Sequence, residues 1–568
     1  MPGELATTHL LYFALMNTRN RSLLAVLVVG AVVCALAFFP SKWQPLAAAR
    51  TAAFPSSPEL SNVIVLIPDG CSQSMVTLAR WCRGGPLAVD QIQVGAVRTH
   101  SANSLVTDSA AAATALACGV KTDNGMLGVA PPPDAAFRPP DLPYTSCQPL
   151  ATVLEGAKRS GRAAGLVVTV NVWDATPAAF VAHTVSRKSD DEILEQMVHQ
   201  DIDVVFGGGR QLLLPAAAGG TRTDRRNLQD VLQSRGVQVV GDADAMARVS
   251  TGKVWGLFAP GNLSAEIDRA ARTPEQPSLA QMTAKAIGLL KQNRRGFFLL
   301  VEGSQVDKAD HANDPARAVR EFLAFDDAVA VALAFATGEG QGRTLVIACP
   351  DHDTGGMTIG QRARTPQTAA DLTAPLAGMQ VSADVLVEKI GDDRSAANIM
   401  ANVEAWWNIR LSPAAAGEIT NFVAGGFSLE RAIGETVSRH HTAIGWTTFD
   451  HTGVDVPLWS YGPGHPVGLL DNTDVARSIA RALRLDLPAL TRSLFVDAQK
   501  TFPDAKLDAG DPAGPALVIG AARLPVNRNL LILHGQERRF DGVVVRIDKT
   551  GRTYLPQQAV DLIRAAGK

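Results

Sequence analysis

Neither sign of charge dominates this chain: 53 Lys and Arg stand against 55 Asp and Glu, a formal net charge of −2 over 568 residues. That balance removes any general drive toward nucleic acid or an anionic membrane, so an anion must be captured locally. Charged residues make up only 19% and hydrophobic residues 46%, a globular composition that excludes a disordered, collagen-like or fibrous chain. Cysteine is scarce, with six residues and no C-x-x-C spacing, which argues against a thiolate zinc site or a thioredoxin-like motif. No repeat of solenoid period is present, and low complexity is confined to Ala-rich and Pro-rich patches such as Pro131-Pro132-Pro133. What remains is a chain long enough for about three domains around a large core.

Near the N-terminus, Asn17-Thr-Arg-Asn-Arg21 precedes an uncharged and almost wholly apolar run, Ser22 to Phe39, followed by Pro40 and Ala47-Ala48-Ala49. This order reads as a secretory signal peptide over residues 1–49, placing the mature chain in the periplasm or outside the cell. The alternative is a retained membrane anchor, because the run lies at the lower edge of a helical span. Cys34 leaves with the signal, and Cys71, Cys82, Cys118, Cys147 and Cys349 remain in a disulfide-permissive compartment. Their odd number leaves at least one thiol free or paired between chains.

Residues 50–61 are small and Pro/Ser-rich, a linker. One large domain is expected over 62–499, starting with the apolar run Asn62-Val-Ile-Val-Leu-Ile-Pro68. Further runs at 164–170, 204–206, 296–301 and 345–348 alternate with helix-period stretches at 107–118, 150–159, 190–198, 279–291, 316–335 and 473–483. Such alternation predicts a three-layer α/β/α fold around a mostly parallel sheet. Residues 358–448, helical in their middle and containing Trp406-Trp407, read as an insertion, and 500–568 as a β-rich C-terminal segment.

In a parallel sheet, function gathers beyond the carboxyl ends of strands. Here Asp69 follows one apolar run, Glu302, Asp307 and His311 a second, and Asp351 and His352 a third. Asp307 and His311, four apart, allow an oxygen and a nitrogen to converge on one ion. Oxygen and nitrogen donors without thiolates suit a catalytic Zn²⁺ with an open position, and an added carboxylate with a hydroxyl suits Mg²⁺. Any one such pair is as readily a surface acid beside a satisfied histidine. Thr107-Asp108-Ser109 directly precedes the helix former Ala110 to Ala117. Ser109 therefore meets the positive end of a helix, where it is either an N-terminal cap or a nucleophile activated by a nearby metal.

Taken together, Ile67-Pro-Asp69-Gly, Thr107-Asp-Ser109-Ala-Ala-Ala-Ala-Thr-Ala with Gly119 to Gly125, Asp174-Ala-Thr176 with His183 and Arg187, Val301-Glu302 through His311, Asp351-His352-Asp-Thr-Gly-Gly356, and Asp450-His451-Thr-Gly453 resemble the alkaline phosphatase motifs in their order. The resemblance spans about residues 62–490. It implies Ser109 as a nucleophile that becomes phosphoserine, Arg187 as a bidentate phosphate clamp, and Asp108 as the residue orienting them. It implies one Zn²⁺ on Asp307, His311 and His451, a second on Asp69, Asp351 and His352, and a Mg²⁺ on Asp69, Thr176 and Glu302. Asp174 and Lys308 would lie behind the Mg²⁺, as in the bacterial type, with Lys308 reaching phosphate through water. Asp353 stands where many relatives have Glu, and Cys71 follows Asp69-Gly70; neither removes an implied ligand.

The activity so implied is hydrolysis of many small phosphate monoesters, with no nucleic-acid partner, membrane contact only if the N-terminal segment is retained, and a homodimer as the assembly. A phosphodiesterase on the same scaffold is the alternative enzyme. A sulfatase needs a Cys/Ser-x-Pro-x-Arg context, which Ser109-Ala-Ala-Ala-Ala lacks. A non-catalytic phosphate- or metal-binding surface protein is the alternative outside catalysis, and the presence of both Ser109 and Arg187 argues against it.

Overall fold

The computed structural model describes residues 60–361, 364–511 and 514–566. The expected signal or anchor and nearly all of the linker lie outside the described residues. The first apolar run forms β1 (Asn62–Ile67), buried along its whole length. Its side chains alternate between two cores, Ile64 and Leu66 into one and Val63, Val65 and Ile67 into the other. A strand covered on both faces needs a continuous apolar run rather than an apolar/polar alternation.

Ten strands form the central sheet. We number those before residue 350 in chain order: β1, β2 (Gln93–Arg98), β3 (Ala163–Asn171), β4 (Val204–Gly208), β5 (Gln238–Val240), β6 (Val254–Leu257), β7 (Phe297–Glu302) and β8 (Thr344–Ala348). Parallel pairing runs from β8 through β1, β7, β3, β4 and β6 to β5. Beyond β8 the strand Val456–Tyr461 runs antiparallel to both β8 and β2, and Gly468–Asp471 closes that edge parallel to β2. The sheet is mostly parallel with helices on both faces, as the alternation predicts. β2, β5, β6 and the edge strand were not expected: β2 is interrupted by Gly95 and mostly half-exposed, and β5 is three residues long.

The helix carrying the candidate nucleophile spans Ser109–Cys118. It starts two residues later than the periodicity suggests, because Asp108 is an extended cap whose carboxylate accepts the Ala111 N–H at 3.0 Å. It stops at Gly119, which turns into the left-handed region at φ 71°.

Between the short antiparallel pair Thr358–Ile359 and Ile444–Gly445, the chain forms helices at Ala369–Ala377, Ala383–Ile390, Ala396–Trp407, Pro413–Ala424 and Leu429–His441. Leu372, Trp407, Ile419 and Val437 join the same core that covers one face of the sheet. Trp407 is fully buried, and its indole N–H donates to the Val381 carbonyl at 2.8 Å. The region is thus part of the sheet's cover.

Past residue 495 the chain is β-rich, with five-stranded and three-stranded antiparallel sheets. It ends in a helix, Gln557–Ala566, absent from the sequence expectation, which turns Ala559, Val560 and Ile563 inward. Val543, Val545 and Tyr554 of this segment pack with Met126, Val129 and Cys147, and Arg528 Nε reaches Glu195 Oε1 at 3.0 Å. Cys71, Cys82, Cys118, Cys147 and Cys349 are all thiols, so no disulfide joins the described residues. No described helix is long and apolar enough to cross a membrane.

Candidate active site

Three neighbouring parallel strands and the helices after them supply most of the chemistry. Asp69 lies just past the end of β1, Glu302 is the last residue of β7, and Asp351 and His352 follow β8. The helix Gln305–His311, entered directly from β7, carries Asp307 and His311 one turn apart. His451 comes from a distant stretch: the two-residue strand His451–Thr452 pairs antiparallel with Asp353–Thr354, seating His451 opposite Thr354.

Ser109 Oγ lies 3.1 Å from His352 Nε2. Asp307 Oδ1 is 3.4 Å from His311 Nε2 and 3.6 Å from His451 Nε2. His352 Nε2 is 3.5 Å from Asp69 Oδ1 and 3.2 Å from Asp351 Oδ2. Donor atoms of Asp307, His311 and His451 lie within 4.8 Å of one another, and so do those of Asp69, Asp307 and His352. Asp307 belongs to both groups and so stands between them. The Nδ1 atoms of His311 and His451 lie 2.5 Å from the Phe449 carbonyl and 2.9 Å from the Thr107 carbonyl. Donating there fixes the tautomer and turns each Nε2 lone pair toward the cluster.

Whether this pocket suits divalent cations is tested by its unpaired atoms. Asp69 Oδ1, Thr176 Oγ1, Glu302 Oε2 and Asp351 Oδ2 are buried without a hydrogen-bond partner, an arrangement that costs free energy unless a ligand satisfies it. Burial, then Asp351, Asp307 and Glu302, holds the Asp69 carboxyl well above the usual range. Burial and Asp174 push Glu302 up to about 8, and burial with Asp307 pushes Asp351 up to about 6. Asp307 moves the other way: burial alone would raise it, but His311, Lys308, His352 and His451 outweigh that and hold it below the carboxylate range. Crowded buried carboxylates, imidazole nitrogens turned toward them and unpaired oxygens form a donor set that fits divalent cations.

On the other side of Ser109, Arg187 places Nη1 3.3 Å from Asp108 Oδ2 and Nη2 3.1 Å from Asp174 Oδ1. Asp108 Oδ2 also accepts the Gly125 N–H at 2.9 Å, and the Arg187 N–H donates to the Gly125 carbonyl at 2.8 Å. The guanidinium is therefore aimed from two ends. Lys308 Nζ lies 3.9 Å from Asp174 Oδ2 and 3.8 Å from Asp307 Oδ2. Thr176 follows the Asp174 cap of the short helix Ala175–Ala179, with its hydroxyl beside Glu302. The candidate residues thus gather at one end of the sheet. His183 sits apart, buried between the Gly128 carbonyl at 2.9 Å and Glu155 at 3.2 Å.

Two contributors escaped the sequence reading. The Thr354 hydroxyl donates to Asp307 Oδ1 at 2.6 Å and lies 3.3 Å from His352 Nδ1, so one side chain ties both groups together. Gly70, at φ 72°, donates its N–H to Asp351 Oδ1 at 3.2 Å. A Cβ there would lie 2.7 Å from Thr354 Oγ1 and 2.9 Å from Asp307 Cα, so only glycine fits.

The family model for alkaline phosphatase matches residues 60–485. The chain belongs to the alkaline phosphatase family. It is a phosphatase. Alkaline phosphatase 3 of Bacillus subtilis (strain 168) is 34% identical over 494 residues, covering 79% of this chain and 98% of that protein. The crystal structure of a cold-active alkaline phosphatase from the psychrophile Shewanella sp. is similar with a TM-score of 0.63 and 31% identity, covering 74% of this chain and 99% of that one. A variant of the alkaline phosphatase from the Antarctic bacterium TAB5, with Mg bound, is similar with a TM-score of 0.54 and 25% identity over 75% of this chain and 99% of that one. The family match stops before the β-rich segment begins.

Proposed function

We propose that this alkaline phosphatase hydrolyses a broad range of phosphate monoesters through a phosphoseryl intermediate on Ser109, with two Zn²⁺ and one Mg²⁺. The observation that carries the reading is Ser109 Oγ at the N-terminus of its helix, 3.1 Å from His352, between the shared carboxylate cluster and the doubly anchored Arg187. Asp307, His311 and His451 would hold one Zn²⁺, Asp69, Asp351 and His352 the other, and Asp69, Thr176 and Glu302 the Mg²⁺. Bound there, these cations would supply positive charge for the attacking and leaving oxygens of an in-line displacement.

Ser109 Oγ attacks phosphorus and the ester P–O bond breaks, releasing the alcohol and leaving the phosphoryl group on the serine. Water then attacks the phosphoserine, breaks its P–Oγ bond and returns the hydroxyl, releasing inorganic phosphate. Arg187 binds two equatorial phosphoryl oxygens as their charge grows, with Asp108 and Asp174 keeping its plane in place. Lys308 adds a second cation behind the same oxygens; Asp174, Asp307 and Asp69 keep it protonated against the pull of burial. Export to the periplasm or beyond, contact with a membrane only through a retained N-terminal segment, and a homodimer complete the reading; export rests on the run from residue 17 to residue 49.

Acid quenching of the metal-loaded enzyme during turnover is expected to trap a phosphate adduct on the peptide containing Ser109, detected by mass spectrometry. An adduct on another residue would contradict the assignment. Arg187→Ala removes a charge-assisted bidentate contact worth about 1.5–3 kcal/mol, so kcat/KM is expected to fall about 10- to 100-fold in steady-state kinetics.

A further inference from the structure

Far from the catalytic cluster, a cleft of ≈ 510 Å³ lies between the sheet's outer helices and the C-terminal segment. Its walls carry more cations than the protein neutralises. Lys158 is paired with Asp203 at 2.9 Å, and Arg159 with Asp541 at 3.0 Å. Asp201 is taken by Lys253 at 2.5 Å, and Glu155, the remaining acid lining the cleft, accepts the Gln200 side-chain amide at 2.8 Å and lies 3.2 Å from His183 Nε2. Arg235, Arg295 and Arg539 line the same cleft, and none of them forms an ion pair with a carboxylate among the described residues.

Arg235 is held in place by neutral partners. Its Nη2 donates to Asn529 Oδ1 at 2.9 Å and to His199 Nδ1 at 2.6 Å, while its buried Nε has no partner. His199 is buried and adds no charge: burial, then Arg235, pulls the imidazole down to about 3. Arg235 itself is pulled down to about 10, first by burial and then by Arg539 across the cleft. Arg235 and Arg295 belong to the α/β layers and Arg539 to the C-terminal sheet. Arg295 donates only to the Ser160 carbonyl, at 3.2 Å, and Asp201, already held by Lys253, is the one acid whose charge offsets Arg235, so like charges line the joint between the two parts with no carboxylate ion-paired to them.

We propose that this cleft binds a small multivalent oxyanion of the phosphate or sulfate class, held by Arg235, Arg295 and Arg539. Several guanidinium groups offer such an anion bidentate N–H pairs, and it removes their mutual repulsion. Binding here bridges the α/β layers and the C-terminal segment without touching the catalytic residues, and does not depend on the function proposed above.

The test is calorimetric titration of the metal-loaded, full-length enzyme with inorganic phosphate, in buffer of fixed ionic strength. Two phosphates per chain are expected, one of them lost or weakened at least about tenfold in Arg539→Gln, with kcat and KM for an aryl phosphate unchanged. Should Arg539→Gln fail to fold, Arg295→Gln, at the cleft's exposed edge, carries the same expectation. Sulfate that displaces only the second phosphate marks a site for tetrahedral dianions in general; sulfate that displaces neither marks one selective for phosphate. Phosphate binding of unchanged stoichiometry and affinity in both variants would overturn the proposal, whether the wild type binds one phosphate per chain or two.

Discussion

Replacing Ser109 with alanine is expected to lower kcat on the order of 10⁴-fold while leaving fold and metal content in place. The change removes one hydroxyl from a buried position at the start of a helix whose cap is Asp108, and alanine is the better helix former. The residual rate comes from the groups that remain, the Arg187 clamp and the carboxylate cluster. The readouts are steady-state turnover, the phosphate adduct in an acid-quenched sample, and bound metal by atomic spectrometry. Turnover close to wild type would sink the serine assignment, whatever the metals do.

Asp307→Ala is expected to have an effect of comparable size by a different route. One oxygen, Oδ1, faces His311 and His451 on one side and accepts the Thr354 hydroxyl on the other, and Asp307 also belongs to the group with Asp69 and His352. Removing it leaves the half-buried His311 and His451 and the buried His352 without their shared carboxylate. We expect affinity for the Zn²⁺ that Asp307 would hold with His311 and His451 to fall by about 100-fold or more, and the neighbouring group to weaken less, since partners one shell further out cost 10- to 100-fold. Activity should fall with it and recover only in part at high metal concentration. Zn²⁺ affinity close to wild type at His311 and His451 would contradict that ligand set.

The same carboxylates set a pH dependence for the chelated protein. Glu302 is raised from an ordinary 4.5 to about 8 by burial and Asp174. Its protonated form is therefore the one the folded chain favours. The stability it contributes is full below the unfolded value and is lost as pH rises through about 8. The melting temperature of the chelated protein should fall between about pH 5 and pH 9, and metal loading should flatten that slope, because a cation takes the place of the proton.

Much of this arrangement was legible in the sequence because the positions concerned answer to strong local rules. β1, β7 and β8 are buried on both faces and so read as unbroken apolar runs, and the residues beyond them had to be polar for a reason other than solvation. The Ala-rich stretch after Ser109 has one dominant propensity. Elsewhere the determinants are tertiary. β2 forms around Gly95 because Gly468 packs against it, with the Gly468 carbonyl where any Cβ on Gly95 would fall. Thr354 lies inside a motif quoted from the sequence, but its bond to Asp307 exists only because the strand pair with His451–Thr452 brings it there. The closing helix Gln557–Ala566 was hidden behind short β-like runs, with its inward face set by the C-terminal sheets.

The central claim is that metal held at the ends of β1, β7 and β8 drives hydrolysis at Ser109. It is tested most directly by following release of a chromogenic aryl alcohol from its phosphate ester, from about pH 6 to pH 11, with and without a chelator and then with Zn²⁺ and Mg²⁺ restored. The account predicts activity that rises above neutral pH, disappears on chelation and returns with the metals. Turnover that survives removal of all bound metal would contradict it.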